Sequence, residues 1–313
     1  MAVLGRYGAG HNGRVAGTLR REAGGAASAG VEVEITLKDP QLAIFLSPHF
    51  DDIALSCGGM AAHLSRRGAR CICLTVFSAP APDDAPISNY MEEMHGKWAS
   101  ASGHETATIN EVRREEERAA MRLLNLQPVW LDLPDAPYRR SASGEHFYTS
   151  DKHLFGKVAP EERRMLVPRI TEEIRRVVRE SRARGKVRVF APLGIGHHVD
   201  HQLVFWAARR LGPRCGVLFY EDYPYAGMPG AVEARIAELG LPIEARLTPI
   251  SELIGIKIAA ITRYKSQLDV LFGSSENMPA AVRAYAQAVA AAAPVVQYAE
   301  RYWYIPPVYT LTY

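Results

Sequence analysis

Residues 42–52 read LAIFLSPHFDD: the run Leu42-Ala43-Ile44-Phe45-Leu46 leads straight into Ser47-Pro48-His49-Phe50-Asp51-Asp52. Five consecutive apolar residues without alternation describe a strand covered on both faces, the habit of parallel sheets flanked by helices. A histidine and two carboxylates stand where that strand must end. The next stretch, IALSCGGMAAHLSRRG (53–68), has helical periodicity. The same alternation recurs downstream. CICLTVFS (71–78) leads through a long polar stretch to INEVRREEERAAMRLLNL (109–126), and VWLDL (129–133) precedes a helix over about 161–184. VRVFAPL (187–193) runs into HVDHQLVFWAARRLG (198–212), and GVLFYEDYPY (216–225) follows. Strands alternating with helices, joined by right-handed crossovers, predict a doubly wound α/β fold: a mostly parallel sheet with helices on both faces. In such sheets the ligand crevice lies outside the carboxyl ends of the strands.

The 313 residues suffice for one large domain with a substantial core. With 48% hydrophobic and 23% charged residues the composition is that of a globular protein, and no apolar run approaches the roughly 18 residues of a membrane span. The net charge of +3 comes from basic residues spread along segments such as RITEEIRRVVRESRARGK (169–186), which argues against nucleic acid as a partner. Cys57, Cys71, Cys73 and Cys215 form no CxxC pair and are expected to be reduced, which fits a cytoplasmic protein. Residues 1–39, rich in Gly, Ala and Arg and lacking a signal-like apolar core, are expected to be a flexible extension before one domain spanning 40–313. The Gly58-Gly59 pair is no GxGxxG and no phosphate-binding lysine follows it, so nucleotide chemistry is not expected.

Chemistry-bearing residues gather at two strand ends. After the first strand stand His49, Asp51 and Asp52; after the fourth, PLGIGHHVDH (192–201) brings His197, His198, Asp200 and His201. Each group has a plain structural use, since Asp51 or Asp52 would suit a helix N-cap and His198 and His201 would share one face of a helical turn. Together, two imidazoles and a carboxylate match a His₂-carboxylate metal site of the kind that leaves a position for water. The segments 79–108 and 134–160 read as loops, whose Tyr90, Trp98, Tyr138, Phe147 and Tyr148 are expected to cover a site and stack on a ligand face. The tail ERYWYIPPVYTLTY (300–313) is expected to pack as an edge element.

PHFDD (48–52) together with the HxxH at His198–His201 resembles the PIG-L/LmbE family of metal-dependent N-deacetylases, whose first motif reads PHPDD or AHPDD. RREEERAAMRLLN (113–125) is similar to the family's RxxExxxAxxxLG helix, and LDLPD (131–135) ends in an aspartate where the family usually has one. YEDYPYA (220–226) and KIAAITRYKSQ (257–267) are similar to motifs of its antibiotic- and glycan-associated branches, so the resemblance spans roughly residues 41–305. Three positions depart from the pattern: Phe50 replaces a proline, Asn125 a glycine, and Ile53 a frequent glutamate.

The resemblance implies a Rossmann-like fold in which His49, Asp52 and His201 hold the metal, zinc by default, with iron(II) suited to the same donors. It implies Asp51 as general base, His198 as stabiliser of the oxyanion, and Arg113 and Asp135 as contacts to sugar hydroxyls. His197 and Asp200 are further candidates, Asp200 as the partner that orients a histidine. The implied activity is removal of the N-acetyl group from an N-acetylglucosamine-like moiety of a small glycoside or glycoconjugate, such as an antibiotic or thiol-sugar intermediate. An amidase for a larger acyl group or a thiol-conjugate amide, and a sugar-binding protein without turnover, are the alternatives; a homo-oligomer is compatible with either.

Overall fold

A computed structural model describes residues 39–82, 87–102, 106–212, 215–293 and 296–306, with residues 97–102 and 106–108 described as backbone only. The extension expected over residues 1–39 lies, except for Asp39, outside the described residues. The strands are β1 (Leu42–Ser47), β2 (Arg70–Thr75), β3 (Gln127–Trp130), β4 (Val187–Pro192), β5 (Cys215–Tyr220), β6 (Glu244–Pro249) and β7 (Ala299–Tyr304). They form one sheet in the order β3-β2-β1-β4-β5-β7-β6. Five strands run parallel; β7 pairs antiparallel with both β5 and β6. The helices are α1 (Asp52–Arg66), α2 (Asn89–Ser102), α3 (Thr106–Leu124), α4 (Asp151–Leu154) and α5 (Pro160–Glu180), followed by α6 (Val199–Arg209), α7 (Ala231–Leu239), α8 (Ile254–Ile261), α9 (Lys265–Phe272) and α10 (Met278–Ala290).

The unbroken apolar run of β1 is explained by its two covered faces. Ala43 and Phe45 join a core with Ile53 of α1 and Met121 of α3, while Leu42, Ile44 and Leu46 join a second core with Ile170 of α5 and Val204 of α6. Side chains alternate across a strand, so a strand between two helical layers must be apolar at every position. Phe45 stacks on Phe190 of β4, with ring centroids 4.6 Å apart. A Cβ on Gly59 would lie 2.4 Å from Ile250 Cγ2, so the glycine lets α1 close against the segment before α8. The Gly58-Gly59 pair is therefore a packing device.

The topology fixes where the chemistry sits. From β1 the chain moves outward to β2 and β3, then returns to β4 on the other side of β1. The turns after β1 and β4 therefore diverge at the switch point of the sheet, where doubly wound folds leave a crevice. Both motif-bearing turns open there.

Two expectations need correction. The tail strand β7 is interior, held between β5 and β6, because Tyr302 fills one core and Trp303 the other while Glu300 is neutralised in the interior. The edge on that side is β6, whose alternation of Glu244 and Arg246 with Ala245 and Leu247 made EARLTP inconspicuous. The 79–108 segment carries α2 rather than running as a loop. Asn125 adopts φ of 57°, the left-handed conformation that asparagine tolerates best after glycine, which accounts for its place at the end of α3.

Candidate metal centre and active site

One cavity at the switch point is lined by His49, Asp51, Asp52, Arg113, Asp135, His198 and His201, with Met94, Phe155, Tyr225 and Gln267 among its other walls. All seven residues singled out for the site thus converge from β1–α1, α3, the turn after β3 and the start of α6.

The imidazoles are held by their outer nitrogens. His201 Nδ1 lies 2.6 Å from Asp222 Oδ1, and Asp222 Oδ2 accepts the N–H groups of Gly194 and Ile195 at 2.8 and 2.9 Å. His49 Nε2 lies 3.1 Å from Asp200 Oδ2. The inner nitrogens, His49 Nδ1 and His201 Nε2, lie 3.5 and 3.6 Å from the same atom, Asp52 Oδ2. That oxygen is held in turn by the backbone N–H of His49 at 2.8 Å. A carboxylate on the far nitrogen fixes tautomer and ring orientation and leaves a lone pair facing inward, the arrangement found behind metal-ligating histidines. Two anchored imidazoles and a carboxylate, too far apart to be satisfied by one another, fit a divalent cation. His49, His198 and His201 also bring ring nitrogens within 4.8 Å of one another.

The remaining groups differ in kind. Asp51 occupies the N-cap position of α1 yet makes no side-chain cap hydrogen bond, so its carboxylate is left to the cavity, with Arg113 Nη2 3.9 Å away. Burial and the neighbouring Asp52 charge push Asp51 up, against the pull of Arg113 and His49. Asp52 is also desolvated, but His201 and His49 bring it below its usual range. His198 caps α6: its Nδ1 accepts the Asp200 N–H at 3.2 Å, which leaves Nε2 as the N–H of the neutral ring. Burial and then His49 and His201 hold His198 well below the usual imidazole value. For His49 the desolvation that opposes protonation is overcome by Asp135, Asp200 and Asp52.

Some candidates stand elsewhere. His197 takes a left-handed φ of 62°, has a side chain 43% exposed and faces Glu238 rather than the cavity. The turn before it presses on Tyr225, where a Cβ on Gly196 would lie 2.5 Å from Tyr225 Cγ. The expected aromatic cover is different too. Tyr90 bonds Asp151, Tyr138 bonds His95, Tyr148 is buried against Glu162, Phe147 packs on a small core beside it, and the Trp98 side chain lies outside the described residues. Phe155 and Tyr225 line the cavity instead. Phe50 is buried with the Arg113 guanidinium 5.3 Å above its ring, and Ile53 is core. The functional residue that sequence reading passed over is Asp222. Its signal was the Glu-Asp pair of FYEDYPY directly beyond β5, at a carboxyl strand end.

The fold and the donor set define a class: a doubly wound α/β protein with its donors at a sheet switch point, suited to a divalent metal. Residues 44–211 match the family described as PIG-L, GlcNAc-PI de-N-acetylase. The chain is 30% identical over 243 residues to the 2'-N-acetylparomamine deacetylase of Niallia circulans, covering 75% of this chain and 84% of that protein. It is 31% identical over 233 residues to the protein of the same name from Streptomyces fradiae, covering 72% of this chain and 73% of that one. The zinc-inhibited form of teicoplanin deacetylase Orf2 superposes with a TM-score of 0.69 at 26% identity, covering 85% of this chain and 98% of the other. This chain belongs to the PIG-L/LmbE deacetylase family. No helix among the described residues is long and apolar enough to cross a membrane.

Proposed function

We propose that the chain, as one catalytic domain over residues 40–313, is a zinc-dependent N-deacetylase that hydrolyses the acetamide of a 2-acetamido sugar within a small glycoside. The products are acetate and the free amine. The observation that carries the reading is the convergence of His49 Nδ1 and His201 Nε2 on Asp52 Oδ2, each ring anchored from behind by Asp200 or Asp222. His49, Asp52 and His201 are assigned as the ligands. A divalent ion held there supplies Lewis-acid polarisation of the amide carbonyl and makes a water more acidic.

The protein's own residues do the rest. Asp51, free of a capping bond, accepts a proton from the attacking water and later delivers one to the departing nitrogen, so that the C–O bond forms, the C–N bond breaks and the amine leaves neutral. His198, its tautomer fixed by the Asp200 N–H, offers Nε2–H to the charge that develops on the carbonyl oxygen. Asp52 rather than His198 is assigned as third ligand because its Oδ2 lies 3.5 and 3.6 Å from the two inner nitrogens, while His198 Nδ1 is taken up by the Asp200 N–H. Arg113 and Asp135 orient hydroxyls of the sugar, a forked donor opposite an acceptor.

Both curated relatives are named as 2'-N-acetylparomamine deacetylases, which supports a pseudo-disaccharide of that kind as substrate over a free monosaccharide. The test is free-amine release from a panel containing 2'-N-acetylparomamine, simple N-acetylglucosaminides and the same scaffolds with longer acyl chains. Faster turnover of the acetylated pseudo-disaccharide is expected. A preference for long acyl chains would instead make the chain a larger-acyl amidase.

A further inference from the structure

We propose that Arg139 is a positioning residue for the metal centre: it fixes the Asp200 carboxylate, which fixes the His49 ring. The inference rests on the metal-site reading above. Arg139 lies one layer behind the cavity, with its side chain 5% exposed, and its guanidinium hydrogen-bonds Glu162 and the Pro134 carbonyl while its remaining nitrogen forms a buried ion pair with Asp200. Nη2 meets Asp200 Oδ1 at 2.6 Å, Nε is paired with Glu162 Oε1, and Nη1 donates to the Pro134 carbonyl at 3.0 Å. The plane lies over the Phe77 ring, 4.7 Å from its centroid, with Tyr148 on another side at 5.7 Å. Glu162 is itself held by the Tyr148 hydroxyl.

Asp200 is fully buried and divides its oxygens: Oδ1 faces Arg139, while Oδ2 faces His49 Nε2 at 3.1 Å and accepts the Ala136 N–H at 3.3 Å. A carboxylate in so dry a place is tolerated only against a cation. Oδ1 is held by charge, 2.6 Å from Arg139 Nη2, and turning the carboxylate would separate this buried ion pair as well as the Oδ2 contacts, so Oδ2 stays where His49 needs an acceptor. The same guanidinium ties down the carbonyl beside Asp135, whose Oδ1 is 3.5 Å from His49 Nε2. The position calls for arginine. Its planar fork hydrogen-bonds Glu162 and the Pro134 carbonyl while keeping a third nitrogen 2.6 Å from Asp200, whereas an ammonium is a point charge without that reach.

The experiment measures zinc affinity of metal-free protein by competition with a chromophoric chelator, with the melting temperature of each metal-free variant recorded alongside. The variants are Arg139→Lys, Asp200→Asn and the pair combined. Arg139→Lys is expected to weaken zinc binding by about 10- to 100-fold, the effect typical of a partner behind a ligand. Asp200→Asn should do the same, and the double variant should bind no more weakly than Asp200→Asn alone, because Arg139 acts through Asp200. Lys257→Met, remote from the centre, is the control that lowers melting temperature without changing zinc affinity. Wild-type affinity in Arg139→Lys, or losses that multiply in the double variant, would overturn the proposal. If Arg139→Lys does not fold, Asp200→Asn against Asp200→Asn/Arg139→Gln makes the same comparison: equal, weakened affinities support the chain of contacts, and a further loss overturns it. A wild-type protein that binds no zinc would remove the metal-centre reading, and this inference with it.

Discussion

Against the middle of α1, Glu300 Oε1 accepts the Gly59 N–H at 2.8 Å and Lys257 Nζ at 2.6 Å, while Oε2 accepts the Met60 N–H at 2.8 Å and the Tyr302 hydroxyl at 2.7 Å. At the start of the same helix, Asp52 Oδ2 has one backbone donor and two ring nitrogens standing off at 3.5 and 3.6 Å. Both clusters are buried and both contain a carboxylate. The first fills the roughly four acceptor positions a carboxylate has and neutralises its charge, so it is a staple between α1, α8 and β7. In the second, two ring nitrogens and a carboxylate oxygen face one another at 3.5 and 3.6 Å without closing hydrogen bonds, a set of donors that a cation would complete. Buried charge that is closed on itself stabilises; buried charge held open by anchors at its back binds.

The comparison can be broken at either cluster. The largest effect is expected from Asp52→Ala or His201→Ala, which should abolish bound metal and lower turnover by at least about 10³-fold, read by metal content and amine release. Asp51→Asn should keep the metal and lower kcat by about 10²- to 10⁴-fold; full activity in that variant would remove Asp51 as the base. Lys257→Met should do the reverse, destabilising the fold by about 3 to 5 kcal/mol in denaturant titration, since it strands Glu300, with zinc affinity unchanged. Asp222→Asn should weaken zinc about 10- to 100-fold by releasing His201.

A third buried acid sharpens the contrast. Glu117 is bonded only by neutral donors, Thr75, Trp130 and the Cys73 thiol, and desolvation pushes its carboxyl up to about 7. The folded state therefore holds this proton more tightly than the unfolded chain, and the associated stability is present at low pH and lost as pH rises from about 4.5 through 7. Glu117→Gln should remove that loss. Its stability relative to wild type is expected to grow by about 2 to 3 kcal/mol between pH 5 and pH 8. A pH-independent difference would place the Glu117 carboxyl in its ordinary range.

The open cluster was legible in the sequence and the closed one was not. His49, Asp51, Asp52, His198 and His201 each follow a continuous apolar strand, and in a doubly wound sheet that order of elements alone brings two such turns to one crevice. The continuous runs were readable because both faces of β1 and β4 are covered. Glu300 and Lys257 carry no such signal. A charge in ERYWY reads as solvent-facing until Lys257 of α8 is known to meet it, which is why the tail looked like an edge and the interior place of β7 was missed. The backing of the site was hidden for the same reason. Arg139 sits in an ordinary-looking PYRR turn, and Asp222 had only its place beyond β5 to mark it, far in sequence from the histidine it orients. Tyr90 and Tyr148 use their hydroxyls within the protein, a choice set by Asp151 and Glu162 from distant segments, whereas Tyr138, bonded to His95, does line a cavity that shares Arg113 and Asp135 with the site.

The most direct test of the central claim is amine release from 2'-N-acetylparomamine by chelator-treated protein, by the same protein reloaded with one equivalent of zinc, and by reloaded Asp51→Asn. Turnover is expected only in the reloaded wild type, with Asp51→Asn holding its zinc but nearly inactive. Undiminished turnover by the metal-free protein, or by Asp51→Asn, would contradict the account.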